Sequence, residues 1–134
     1  MKLGVICDGI SRDLAHTLDV MDEFDLEYAE LQFVGDTEVG DHSAAEIREI
    51  DLMLRDRGKP VSCLSRHIFA GLTTQNRPGD AAHTAHMDAL ARVIDMAHVT
   101  GAPLVRIMTN KKEQILWGAG GAEKWNVAHG AWDA

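Results

Sequence analysis

The chain has 134 residues, 46% hydrophobic and 25% charged, with 13 basic and 21 acidic side chains and a formal net charge of −8. That suits one globular domain with a sizeable core, and an acidic balance without long single-sign runs argues against nucleic acid or an anionic membrane surface as its main partner. No apolar stretch approaches the ~20 residues needed to span a bilayer, and Met1–Gly9 reads as a first strand of the mature chain rather than a leader.

Short apolar runs alternate with amphipathic helices four times. The strand candidates are 3–7, 28–34, 61–65 and 104–108; the helix candidates are 11–24, 43–57, 80–100 and one opening near Glu123. Such alternation predicts right-handed βαβ units and a parallel sheet. The expected fold class is therefore α/β, built from parallel (β/α) units. Four such units are half of an eightfold (β/α)8 (TIM) barrel, so residues 1–134 read as a single partial domain with the fourth helix still running at Ala134.

In chain order, helix one is expected to start at Ser11 and to bury Leu14, Leu18 and Met21. Helix two opens with a capping box, Ser43-Ala-Ala-Glu46, buries Ile47, Ile50 and Leu54, and ends before Gly58. Helix three is expected to bury Leu90, Val93, Ile94 and Ala97 and to close at Gly101. Helix four carries Trp125, Ala128 and Trp132 at helical spacing. Cys7 and Cys63 fall in strands, where small buried hydrophobes in a reducing cytoplasm are expected. Residues 35–42, 70–79 and 110–121 are irregular, whereas the returns at 25–26, 58–59 and 101–102 are short. In parallel α/β folds the working face lies at the strand C-termini, where the long loops are.

Two charges sit inside strands, where they are costly unless paired: Glu30 and Arg106. With Ala29, Leu31, Phe33, Val105 and Ile107 turned toward the helices, both charges point to the opposite face, within reach of an ion pair. That pair would either brace the sheet or position substrate. Asp8 and His67 stand at strand C-terminal ends, where barrel enzymes place acids, bases and ligands; Asp8 would equally serve as a cap for helix one. His83 and His86, with His16, His42 and His98, read as solvated surface. Arg66, Arg77, Lys111 and Lys112 lie in or beside the long loops, placed to meet a substrate phosphate or carboxylate. Gly118-Ala-Gly-Gly121 is neither a dinucleotide fingerprint nor a phosphate loop.

Three stretches carry a family resemblance: Lys2-Leu-Gly-Val-Ile-Cys-Asp8, Tyr28-Ala-Glu-Leu-Gln32, and the passage from Arg92 through Gly101-Ala-Pro-Leu-Val-Arg106. Together they resemble the sugar phosphate isomerase/epimerase family, xylose isomerase-like barrels to which type-IV apurinic endonucleases are related. The resemblance implies an isomerase or epimerase moving a proton beside the carbonyl of a sugar or small hydroxy-carbonyl compound. It implies a divalent metal (Mn, Mg, Zn or Co) held by strands five to eight of a full barrel, so no metal ligand is assigned here. It makes His67 and Glu30 the catalytic candidates and has Arg106 hold substrate oxygens; Asp8 at its strand end and Lys111 in its loop join as substrate-binding candidates by position. The expected location is cytoplasmic, and the 134 residues alone are expected to be inactive. The alternatives are a non-catalytic half-barrel that self-associates or pairs with a C-terminal half, and a nuclease relative, for which −8 is a poor charge.

Overall fold

The computed structural model describes residues 2–73 and 76–108. A four-stranded, wholly parallel sheet has the order β1 (Gly4–Ile6), β2 (Tyr28–Leu31), β5 (Val61–Ile68), β6 (Val105–Ile107), so its order repeats the chain order. Three helices intervene: α1 (Leu14–Glu23), α2 (Ala44–Asp56) and α3 (Ala81–Thr100). The expected strand 28–34 is broken after Leu31, and its end forms a short antiparallel hairpin, β3 (Phe33–Val34) with β4 (Thr37–Glu38), the latter in a stretch expected to be irregular. The fourth expected helix lies outside the described residues. No helix among the described residues is long and apolar enough to cross a membrane.

Local chemistry sets the helix ends. Asp13, not Ser11, caps α1: its carboxylate accepts from the Ala15 and His16 amides, while the Ser11 hydroxyl accepts one step earlier from the Asp13 amide. The capping box of α2 forms as read, with Ser43 and Glu46 exchanging side-chain and backbone bonds. Gly101 closes α3 in the left-handed conformation at φ 68°.

All three helices bury into a single core. Leu14, Leu18 and Met21 of α1, Ile50 and Leu54 of α2, and Val93, Met96 and Ala97 of α3 meet Ala29, Leu31, Val61 and Leu64 of the sheet. The helix layer thus covers one sheet face. The buried stripe of α3 differs from expectation: Ala89, Val93, Met96, Ala97 and Thr100 are inside, and Ile94 is exposed. That helix is apolar around most of its circumference, so periodicity alone leaves its rotation undetermined. Ile107, expected to face the helices, is also exposed, beside an irregularity in the β5–β6 register between Ser65 and Ile68.

Candidate functional site

Strand alternation builds the first part of the site. Ala29 and Leu31 point into the core, so Glu30 between them points to the face away from the helices. On β5, Leu64 is in the core and the next residue, Ser65, faces the other way, paired in register with Arg106; Cys63 is paired with Glu30. The fully buried Ser65 hydroxyl donates to the Glu30 carboxylate and lies 3.7 Å from the Cys63 sulfur. The Arg106 Nη1 is 3.9 Å from Glu30 Oε1, with side chains 38% and 27% exposed. The expected Glu30–Arg106 juxtaposition is present, then, at the outer limit of an ion pair and within reach of solvent.

A second layer lies nearer the strand C-termini. His67 was expected just past the third strand of the sheet, but β5 continues through it to Ile68. Its ring Nδ1 is 2.7 Å from Glu38 Oε1, and its backbone amide donates to the same oxygen at 3.1 Å. The Gln32 amide nitrogen lies against both ring nitrogens, 3.0 Å from Nε2 and 3.3 Å from Nδ1. Gln32 is two residues beyond Glu30, and His67 two beyond Ser65, so each continues the row below it.

Asp8 falls in a 3-10 turn, Cys7–Gly9, immediately after β1. It does not cap α1, a place taken by Asp13. Among the described residues, its Oδ1 and the Nε of Arg106 are buried polar atoms without a hydrogen-bond partner, which leaves each with unused hydrogen-bonding capacity. Beside Asp8, burial pushes the Cys7 thiol up to about 12, with the Asp8 and Glu30 charges adding to the effect.

Other candidates turn out to be structural. Arg66 leaves the loop class altogether: its guanidinium donates to the Val39 carbonyl at 2.7 Å and to Asp41 at 2.6 Å, with Glu38 Oε2 3.6 Å from its Nε. Burial raises the Asp41 pKa, but hydrogen bonds from Arg66 and Arg92 outweigh it and hold the carboxyl below its usual range. Arg92 reaches Asp41 from α3, so this chain of charges ties the hairpin to the helix layer. His86 and His83 are engaged rather than free: the Phe69 amide donates to His86 Nδ1 at 3.0 Å, and the Phe69 ring stacks on His83. Likewise, His42 Nε2 lies 3.2 Å from the Val34 carbonyl oxygen. Arg77 stays near the β5–α3 connection, its amide donating to Asp80. Lys111 and Lys112 lie outside the described residues.

Glu38, Gln32 and Ser65 were not singled out in the sequence. Gln32 and Ser65 were recoverable by alternation from Glu30 and His67. The signal for Glu38 was the two-residue connection Gly35-Asp36 between Phe-Val and Thr-Glu, a hairpin pattern. Among the described residues, no three His, Cys, Asp or Glu side chains are grouped to hold a metal ion.

No protein-family model matches this sequence, and neither does any curated protein.

Proposed function

We propose that these strands form half of a (β/α)8 barrel of the sugar phosphate isomerase/epimerase type, whose closed form moves a proton at a carbon next to a carbonyl. The observation that carries the reading is the two-layer polar row on the sheet face opposite the helices, Glu30–Ser65–Arg106 and then Gln32–His67, which Glu38 joins from the hairpin. In support, the strand order runs in sequence and is all parallel, and the row rises toward the strand C-termini. His67 and Glu30 are the groups that accept or release the proton. Arg106 stabilises negative charge developing on the carbonyl oxygen, as enolisation requires. Asp8 accepts from a substrate hydroxyl through its unpaired Oδ1, and Lys111 is assigned to the substrate's phosphate or carboxylate. A divalent metal, in this reading, belongs to carboxylates of the other half, and no step is derived through it. The working location is the cytoplasm.

The test is an amide NMR titration with a panel of aldose and ketose phosphates. Saturable shifts concentrated at Glu30, Ser65, His67 and Arg106 are expected. No saturable shift at about 10 mM ligand, above the usual KM range, overturns the reading.

A second reading, self-association of the half-barrel, is favoured by the exposure of Leu104, Ile107 and Met108 around β6.

A further inference from the structure

Glu38 reaches His67 from the hairpin, outside the main sheet, and it is held there from both sides. Its Oε1 accepts the backbone amide and faces the ring Nδ1 of His67, while Oε2 faces the Arg66 guanidinium. Arg66 is itself fixed by the Val39 carbonyl and by Asp41, which Arg92 of α3 grips at 2.8 Å. Only 18% of the Glu38 side chain is exposed, against 46% for His67. A carboxylate only accepts hydrogen bonds, so the neutral ring must carry its proton on Nδ1. The lone pair is then on Nε2, and the Gln32 amide nitrogen, 3.0 Å from Nε2 and 3.3 Å from Nδ1, does not select between the two.

We infer that Glu38 is a positioning residue that locks His67 in the Nδ1–H tautomer and leaves the Nε2 lone pair to be offered to a ligand hydroxyl. The ligand half of this inference rests on the proposed sugar-binding reading; the tautomer half does not. Among the described residues, the groups facing His67 are Glu38, Gln32 and, with its ring centroid 6.4 Å away, Phe33. Of these, only Glu38 distinguishes one ring nitrogen from the other by charge. A charge-assisted bond of this kind biases the tautomer ratio by about tenfold or more. It also removes the search over ring orientations before a proton is transferred.

The experiment is ring nitrogen-15 NMR of His67 on the whole chain at alkaline pH, where the imidazole is neutral. The wild-type ring is expected almost wholly as Nδ1–H. Glu38→Leu should lower the Nδ1–H to Nε2–H ratio by about tenfold, while Gln32→Ala should leave it in place. A wild-type ring protonated on Nε2, or a ratio unchanged in Glu38→Leu, overturns the positioning role. Should Glu38→Leu fail to fold, the wild-type and Gln32→Ala spectra still decide it, since loss of the Nδ1–H form on removing Gln32 would assign the lock to the wrong neighbour. Adding an aldose phosphate should shift the Nε2 resonance in wild type. If the tautomer is as expected and that resonance stays put, the ligand half and the sugar-binding reading fall together, and the Glu38 lock stands.

Discussion

At neutral pH a thiol held up to about 12, as Cys7 is, carries almost no thiolate and is a poor nucleophile. Cys63 is part-exposed on the face away from the core. Iodoacetamide should therefore label Cys63 in the native protein and spare Cys7, as read by peptide mass spectrometry; equal labelling would mean that the turn after β1 opens readily. Glu30 can be weighed in the same way. A dry ion pair loses about 3–5 kcal/mol when one partner is removed, but both side chains here keep more than a quarter of their surface. Solvent reduces the Arg106 attraction to under about 1 kcal/mol, and the Ser65 bond survives with an amide acceptor. Glu30→Gln should thus cost about 1 kcal/mol in urea unfolding, and a loss above about 3 kcal/mol would contradict the solvent-exposed geometry. Glu30 and Arg106 were legible in the sequence because a charge inside an apolar run has few places to go. Glu38 was far less so, because the Gly35-Asp36 connection marks a hairpin but not burial, and its role comes from a residue 29 positions away.

Among the elements, the hairpin left the faintest trace in the sequence, the Gly35-Asp36 connection alone. Strands of two residues are too short for alternation to register, whereas β2 and β5 and the caps of α2 announced themselves by pattern and by specific side-chain chemistry. The hairpin's seat against α3 depends on Gly40, at φ 89°, where an added Cβ would lie 2.6 Å from Val93 Cγ2 and 3.1 Å from the Val93 nitrogen. Backbone cannot yield there as a side-chain tip can. Gly40→Ala should cost about 3 kcal/mol, combining left-handed strain and overpacking. Gly35→Ala, at φ 61° with no atom of the described residues within 4 Å of the added Cβ, should cost only about 1 kcal/mol. Thermal unfolding of the two variants checks the difference; equal losses would mean that strain alone matters and the contact with Val93 does not.

For the molecule as a whole, one face is finished and the other is not. The helix-covered side forms a continuous core, while Leu3, Ile6, Leu104, Ile107 and Met108 remain exposed along the sheet margins. Among the described residues, β1 and β6 each pair with one strand, leaving backbone groups available for another. Light scattering on the 134-residue chain should show a dimer or larger species, and a monodisperse monomer would show that these margins are satisfied within one chain. The alternating pattern made the parallel sheet legible at this scale, because a strand–helix–strand step leaves few other solutions. The identity of sheet order and chain order carries a consequence for how the protein comes into being. Each βα unit, as it leaves the ribosome, finds its docking surface already made by the unit before it, so assembly can advance in the direction of synthesis without waiting for a distant partner. The same arrangement grades the resistance to opening. Amide hydrogen exchange should be slowest in β2 and β5, which have a strand on either side, and fastest in β1 and β6.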